Sequence, residues 1–312
     1  MSAVSAPPQL CPTKHALLCA LWYFEIFQHP LTLEELRRYS NCAGVSQEIL
    51  GDKLGELVAE GAAFQFEHFF QTRDEPGWVA RRRAYNQRAD EFLPIARRMA
   101  RFIGAFPFIR GVFVSGSLSK HCMAPDGDID FFIITAPGRL WLARTLLVVF
   151  KKLFLFDSHK YFCINYFVDT EHLEIEEKNL FTATETATLL PLYGREWYER
   201  FVGANAWAWA HFPNLPPRPT GQTPPHRRAG FKLLWERVLY TYPGQWLDIW
   251  AMRATVWYWR RKFRKFDDRT FDSALRSRRY MSKHHPLYFQ KKVMEAFAKR
   301  AGQYHTPSAG GA

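Results

Sequence analysis

Apolar positions at helical spacing dominate the N-terminal part of the chain. Residues 14–28 are predicted to form a helix on the apolar face of Leu17, Leu18, Leu21 and Trp22. Thr32-Leu33-Glu34-Glu35 has the spacing of a capping box and predicts a second helix. Ser46 caps a predicted third helix, which ends at Gly61 and whose apolar face is Ile49, Leu50, Leu54, Leu57 and Val58. Residues 64–67 then alternate like a strand.

This order of three helices and a strand resembles a winged helix. In that fold the third helix usually enters a DNA groove. Here the predicted third helix carries one lysine, Lys53, and four acids, which are Glu48, Asp52, Glu56 and Glu60. Because phosphate contacts dominate affinity for DNA, an acidic helix argues against DNA reading. We expect this segment to contact a protein or another domain instead.

The middle of the chain alternates between strand and helix patterns. Residues 77–105 are mostly helical in pattern, with Pro94 as a predicted interruption. Short β-branched and aromatic runs then predict strands on either side of one amphipathic helix, namely strands 111–114, 130–135 and 161–168 and helix 139–154. Further helices are predicted over 182–190 and 196–201. This succession predicts an α/β unit.

The C-terminal part has a different composition. Six prolines within residues 213–226 predict an extended linker, and residues 231–300 are predicted to be helical. The fold class is therefore α+β. The predicted segments are a winged-helix-like domain at 1–76, a small mixed-sheet domain with a leading helix at 77–212, the linker at 213–226, and a basic aromatic helical segment at 227–312.

Length and composition exclude several classes of protein. With 312 residues that are 47% hydrophobic, the chain can bury a core, so disorder, collagen and coiled coil are excluded. Five scattered cysteines without a Cys-x-x-Cys pair favour neither a disulfide framework nor a zinc site, which fits a reducing, cytoplasmic location. We expect no signal peptide, because the N-terminus lacks a basic region, and no membrane span, because uninterrupted apolar stretches are too short.

The positive charge is concentrated near the C-terminus. The chain has 42 Lys and Arg against 30 Asp and Glu, which gives a net charge of +12. Residues 1–226 hold 23 basic and 24 acidic side chains, whereas residues 227–300 hold 19 and 6. This asymmetry predicts an anionic partner for residues 227–300, such as RNA or an anionic surface.

A glycine-serine turn followed by paired acids is the most informative motif. In Val114-Ser115-Gly116-Ser117-Leu118-Ser119-Lys120 the turn follows a predicted strand and precedes a short helix, so its backbone N–H groups can face a phosphate. Asp128 and Asp130 then open the next predicted strand. Because side chains alternate along a strand, the two acids share a face and can bind Mg²⁺ together. A phosphate-binding turn beside paired carboxylates is the arrangement that two-metal phosphoryl or nucleotidyl transfer requires.

At these residues the sequence resembles the polymerase-beta-like nucleotidyltransferase superfamily. The resemblance implies a small mixed sheet over residues 77–212, two Mg²⁺ ions and an NTP as substrate. It implies that Gly116, Ser117 and Lys120 bind the phosphates and that Asp128 and Asp130 bind the metals. His121 stands where many small members have glycine. The wider chain resembles little-characterised bacterial proteins that carry this domain, on motifs that include Cys163-x-Asn165-Tyr166-Phe167.

The resemblance also implies a third acid on a later strand, which helps to deprotonate the acceptor hydroxyl. Alternation along the predicted strand 160–169 places Cys163, Asn165, Phe167 and Asp169 on one face, and Asn165 stands at the expected position. An amide oxygen can bind Mg²⁺ but cannot act as a general base. Two functions therefore stay open: a Mg²⁺-dependent nucleotidyltransferase with Asn165 in its catalytic site, or a catalytically inactive nucleotide- or RNA-binding module.

The basic aromatic segment admits three interpretations. Trp246, Trp250 and Trp257 fall on one helical face, and the basic run 260–265 follows them. The helix can dock on its own domain through these tryptophans. It can instead bind RNA, where cations contact phosphate and aromatic rings stack on bases. It can also lie in a membrane interface.

Overall fold

The computed structural model describes residues 11–155, 160–227, 230–284 and 289–305. These residues form two compact units. The first unit comprises described residues within 1–83, 209–216 and 292–312, and the second comprises those within 84–208 and 217–291. This division differs from the predicted segments, because residues 217–291 belong to the second unit and do not form a segment of their own. The Pro-rich stretch 213–226 has neither helix nor strand.

The first unit begins with three helices and a small antiparallel sheet. In chain order its elements are α1 (Pro12–Glu25), β1 (Leu31–Thr32), α2 (Leu33–Tyr39), α3 (Gln47–Ala59), β2 (Phe64–Phe66) and β3 (Phe69–Gln71). The strands pair in the order β1-β3-β2. Leucines from the three helices fill the core, including Leu17, Leu36, Leu50, Leu54 and Leu57. The predicted apolar face of α3 was wrong at Ile49, which is half exposed because it lies beside the buried stripe.

The capping box of α2 forms as predicted. The Thr32 hydroxyl accepts the Glu35 N–H at 3.2 Å, and the Glu35 carboxylate accepts the Thr32 N–H at 2.9 Å. We expect Thr32→Ala to lower the free energy of unfolding by about 1 kcal/mol, because it removes a cap that satisfies a free helix N–H. Thr32→Ser keeps the oxygen and should stay within a few tenths of the wild-type value. Equal urea unfolding curves for Thr32→Ala and wild type would contradict this role.

A long helix leads towards the main sheet. It is α4 (Gly77–Gly104), and it continues through Pro94, so the predicted interruption was wrong. Proline removes one backbone hydrogen bond in a helix interior. In the second unit the apolar positions of α4 on both sides of that proline are buried in one core, which holds the helix together through Ala89, Phe92, Ala96, Ala100 and Ile103.

The second unit is built on a mixed sheet. Its strands are β4 (Ile109–Val114), β5 (Asp130–Thr135), β6 (Cys163–Asp169), β7 (Leu190–Tyr193), β8 (Ser277–Arg278) and β9 (Met281–Lys283). In the described residues they pair in the order β7-β4-β5-β6-β9-β8, with β5 and β6 parallel and the other neighbours antiparallel. The predicted strands around 111–114, 130–135 and 161–168 are confirmed as β4, β5 and β6. The mixed sheet of an α+β protein is therefore present.

Helices cover both faces of this sheet. After α4 the helices of the chain are α5 (Gly116–Ser119), α6 (Leu140–Phe154), α7 (Leu180–Thr188), α8 (Arg195–Ala204), α9 (Ala206–Trp209), α10 (Gly230–Leu239), α11 (Tyr242–Lys262), α12 (Asp268–Ala274) and α13 (Phe289–His305), of which α13 belongs mostly to the first unit. Because side chains alternate along β5, Phe131 and Ile133 enter one core with α6, whereas Phe132 and Ile134 enter a second core with α8.

The C-terminal part contributes to the sheet as well as to its helical cover. Residues 231–300 were predicted to be helical throughout, but β8 and β9 interrupt the helices and β9 pairs with β6. The helix α11 packs through Trp259, which is buried. Trp246, Trp250 and Trp257 are exposed, so docking by those tryptophans was wrong. No helix in the described ranges combines the length and the apolar character needed to cross a membrane.

Candidate functional site

The motif turn lies between β4 and β5, where Gly116 opens the single-turn helix α5. Its φ is +67°, in the left-handed region that favours glycine. A Cβ atom on Gly116 would stand 2.7 Å from the Asp130 Oδ2. Backbone conformation and space therefore both require glycine here. This close approach brings the turn against the first acid of β5, while Ser117 is exposed at the tip of the turn.

A carboxylate already lies in the predicted phosphate cradle. The Gly116 N–H donates to Glu185 at 3.0 Å, and the Lys120 ammonium donates to the same carboxylate at 2.8 Å. Lys120 also donates to the Gly116 carbonyl at 3.0 Å, which fixes it against the turn. The backbone N–H and the lysine thus converge on one anionic group. That geometry is what a phosphate oxygen needs.

The paired acids follow the turn. Asp130 is the first residue of β5, and Asp128 lies two residues earlier in an extended segment. Between them the Ile129 N–H donates to the Lys160 carbonyl at 3.0 Å, and the Cys163 N–H donates to the Ile129 carbonyl at 3.2 Å. The pairing of the sheet therefore extends past the end of β5. Ile129 is buried, whereas Asp128 and Asp130 are partly accessible.

Negative charge is crowded around Asp130. The pKa of its carboxyl group is raised to about 6, chiefly by burial and also by the charges of Glu185 and Asp128, while hydrogen bonds from Cys163 and Asn165 lower it. Burial, together with the nearby Asp130 charge, also raises the pKa of the Cys163 thiol. A carboxyl group with a raised pKa beside two other acids is stabilised by any cation that binds between them.

Asn165 contacts Asp130 directly. Its side-chain N–H group donates to Asp130 Oδ1 at 2.9 Å. The pairing of β5 with β6 skips Asn165, because Phe131 pairs with Ile164 and Phe132 with Tyr166. Such a bulge re-aims side chains at functional edges of sheets. It also ends the simple alternation, so the predicted shared face was wrong: Phe167 lies in the core on the side of α6.

Asp169 does not join the acids. It is the last residue of β6, whereas Cys163, the first, pairs with Asp130. Six residues of strand separate these two ends by about 20 Å. The buried Asp169 carboxylate instead accepts the N–H groups of Glu171 and His172, both at 3.0 Å, and so closes the turn after β6.

Two further residues near the turn have defined places. Glu185, which the sequence reasoning missed, is the single charged residue of α7 (LFTATETAT). An isolated charge in a helix of threonine and alanine is the signal that would have identified it. His121 has a φ of +57°, which accounts for the glycine of the resembled pattern, and its ring contacts Asp90 at 2.7 Å.

The donor set fits a hard cation in its chemistry. Asp128 and Asp130 offer carboxylate oxygens and Asn165 an amide, the ligand types that Mg²⁺ binds. Within the described residues no three His, Cys, Asp or Glu side chains are grouped closely enough to enclose a metal ion. Mg²⁺ in proteins commonly keeps water and substrate phosphate oxygens among its ligands.

No protein-family model matches the chain, and no curated protein and no solved structure is significantly similar to it.

The contact between Asn165 and Asp130 predicts a metal-dependent stability effect. In Mg²⁺-free solution at neutral pH, Asn165→Asp should lower the free energy of unfolding by about 1–3 kcal/mol, because it replaces a donor with a second carboxylate. Saturating Mg²⁺ should recover most of that loss. The control Asn165→Ala removes the hydrogen bond without adding charge, so its unfolding curve should not respond to Mg²⁺ beyond the wild-type response. If Mg²⁺ does not raise the free energy of unfolding of Asn165→Asp, Asn165 does not lie at the metal site.

Proposed function

We propose that this protein is a Mg²⁺-dependent nucleotidyltransferase that moves NMP from an NTP to an acceptor and releases pyrophosphate. The observation that carries the proposal is that the Gly116 N–H and the Lys120 ammonium both donate to one anionic group, the Glu185 carboxylate, while the Asp130 carboxylate lies against Gly116. In this function the turn with Ser117 and Lys120 holds the triphosphate, while Asp128 and Asp130 hold the metal ions. The mixed sheet supports the proposal, because the sequence resemblance implies one, although β8 and β9 extend it beyond residues 77–212.

The protein's own groups define the expected steps. The Lys120 ammonium neutralises charge on the leaving phosphates, and the Gly116 N–H orients one phosphate oxygen. Mg²⁺, when bound, withdraws charge from the triphosphate and stabilises the attacking and leaving oxygens. Asp128 and Asp130 would hold it, and Asn165 would orient the Asp130 carboxylate through the hydrogen bond it donates.

Glu185 is our candidate for the missing third acid. In the free protein its carboxylate occupies the donors that a triphosphate needs. A triphosphate that takes these donors releases Glu185 beside Asp130, whose carboxyl pKa its charge already influences. A carboxylate in that position can accept the proton of an acceptor hydroxyl. Substrate binding and exposure of the base are then one event.

A catalytically inactive nucleotide- or RNA-binding module is the second candidate function. The neutral Asn165 at the expected third-acid position favours it, because an amide cannot act as a base. In such a module Glu185 would remain a competitor for the phosphate cradle and would not act on an acceptor.

One assay distinguishes the two functions. Each α-labelled NTP is incubated with Mg²⁺ and pools of RNA, protein and small hydroxyl compounds, and both pyrophosphate and labelled products are measured. A nucleotidyltransferase gives pyrophosphate and one labelled acceptor with at least one NTP. Saturable NTP binding without pyrophosphate in every pool assigns the inactive module.

The first unit fits a contact role better than DNA reading. Its order of helices and strands resembles that of a winged helix, and acids are exposed on its third helix, α3, and directly after it. Lys14 of α1 pairs with two of these acids, Glu56 at 2.7 Å and Glu60 at 2.6 Å, and so leaves the group of acids with a net negative charge. We infer that this winged-helix-like unit contacts protein, because an acidic α3 repels the phosphates of DNA.

A further inference from the structure

The helix α10 is amphipathic in the reverse of the usual sense. Its charged face points into the protein: Lys232 donates to the carbonyls of Gly104 and Ile109, and Glu236 accepts from Arg110 at 2.7 Å, all within the buried interior. Its exposed face is apolar, at the spacing i, i+3, i+4, i+7, and consists of Phe231, Leu234, Trp235 and Val238. A helix in this orientation exposes an apolar stripe, and exposed apolar surface of this kind often marks a binding site.

The helix α11, which follows α10 in the chain, also exposes aromatic side chains. At about 100° per residue, Trp246, Trp250 and Trp257 fall within about 40° of one another around the helix. Each of them is at least 60% exposed, whereas Trp259 on the other side is 4% exposed. The end of α6 adjoins this helix, because the Lys152 ammonium lies 6.0 Å from the Tyr258 ring centre. The neighbouring Leu153 and Phe154 of α6 are exposed as well.

The outward charges of α10 and α11 are all positive. Their acids are Glu236 and Asp248, and both are buried. Exposed basic side chains border the tryptophans, and they are Arg253, Arg261 and Lys262, whereas Arg260 pairs with Asp268 of α12. The Arg261 guanidinium lies 5.0 Å from the Trp257 ring centre, so cation and aromatic ring share one surface. An anionic partner complements this charge, and a second copy of the same face would oppose like charges.

We propose that the outward faces of α10 and α11 bind the surface of an anionic lipid bilayer. Tryptophans placed at the headgroup level with arginines beside them match the chemistry of the interface. The exposed Leu234, Val238 and Leu247 gain by entering the acyl boundary. Binding to RNA would not bury these aliphatic side chains, because RNA is bound through cations and stacked aromatic rings. The helices lie in the interface and do not cross the bilayer.

The test is co-sedimentation of the full-length protein with vesicles of phosphatidylcholine, with and without one quarter phosphatidylserine. We expect binding to the phosphatidylserine vesicles that weakens as salt is raised. Replacing Trp246, Trp250 and Trp257 together with glutamine should weaken partitioning by about 100-fold or more, because each loses apolar burial. The exposed α10 pair Phe231→Gln and Val238→Gln should also weaken it. Circular dichroism should show unchanged folds, since all five side chains are exposed.

A charge-matched pair of variants isolates the electrostatic part. Arg253→Gln with Arg261→Gln should weaken binding by about 30-fold, at roughly tenfold per 1.4 kcal/mol. Arg97→Gln with Arg98→Gln removes the same charge from exposed positions of α4 and should leave binding unchanged. Wild-type protein that ignores phosphatidylserine vesicles overturns the proposal. So does tryptophan-dependent retention on single-stranded RNA without vesicle binding, or a tryptophan-dependent dimer in light scattering.

Discussion

Replacing Asp130 with asparagine should abolish NMP transfer while leaving the protein folded. We expect turnover to fall by about 10³-fold or more, because the proposed metal site loses one of its two paired carboxylates. The variant keeps an amide oxygen that can accept the hydrogen bond from Asn165. Pyrophosphate release with Mg²⁺ and labelled NTPs measures the loss. Asp126→Asn, which removes an exposed acid from the same loop, should keep wild-type turnover.

The same variant should not be less stable than the wild type. The folded-state pKa of Asp130, about 6, lies above the value of about 3.9 for an unfolded aspartate. The folded protein therefore binds the proton more tightly, and its stability falls as pH rises from about 4 to about 6. Asparagine removes that penalty, which is at most about 3 kcal/mol at pH 7. Metal-free unfolding at pH 5 and pH 8 should show Asp130→Asn gaining on wild type at the higher pH. A collapse in its melting temperature would make Asp130 a structural residue.

Glu185→Gln should strengthen nucleotide binding and slow turnover. The amide is a weaker acceptor than the carboxylate for the Gly116 N–H and Lys120, so a triphosphate displaces it more easily. We expect about tenfold tighter binding of a non-hydrolysable NTP, since a charged hydrogen bond is worth about 1.5–3 kcal/mol. Because the amide cannot accept a proton, turnover should fall by about 10²-fold or more.

The control for this variant is Glu199→Gln on α8. Glu199 accepts a hydrogen bond from Thr220 at the protein surface, so its replacement should change neither quantity. Weaker binding by Glu185→Gln would mean that Glu185 only supports the turn. Tighter binding with full turnover would show that Glu185 is a competitor for the cradle and not a base.

The sequence was sufficient for the parts of the site that depend on local pattern. The strand β5 and the second half of β4 are apolar runs, so these strands and the turn between them could be predicted, whereas the start of β4 at Ile109 was missed because Arg110 interrupts the pattern. The closeness of Gly116 to Asp130 follows from that connection. The bulge at Asn165 could not be predicted, because it depends on the pairing of β6 with β5 and not on the residues of β6 alone.

Glu185 and the C-terminal strands were missed for a related reason. Glu185 is 69 residues from Gly116 along the chain, and only the packing of α7 brings its carboxylate to the turn. β8 and β9 span two and three residues, too short for an alternating pattern to stand out among basic residues. The tryptophans of α11 follow a regular helical face, but periodicity alone does not tell whether such a face meets the protein or solvent.

A crystal structure of the protein with a non-hydrolysable NTP and Mg²⁺ tests the proposed function most directly. We predict that phosphate oxygens take the Gly116 N–H and the Lys120 ammonium in place of Glu185. We predict that Mg²⁺ binds both Asp128 and Asp130 beside the triphosphate, and that the freed Glu185 carboxylate faces the α-phosphate. A nucleotide bound elsewhere, or a Mg²⁺ ion that touches neither aspartate while Glu185 keeps its contacts with the turn, would contradict the proposal.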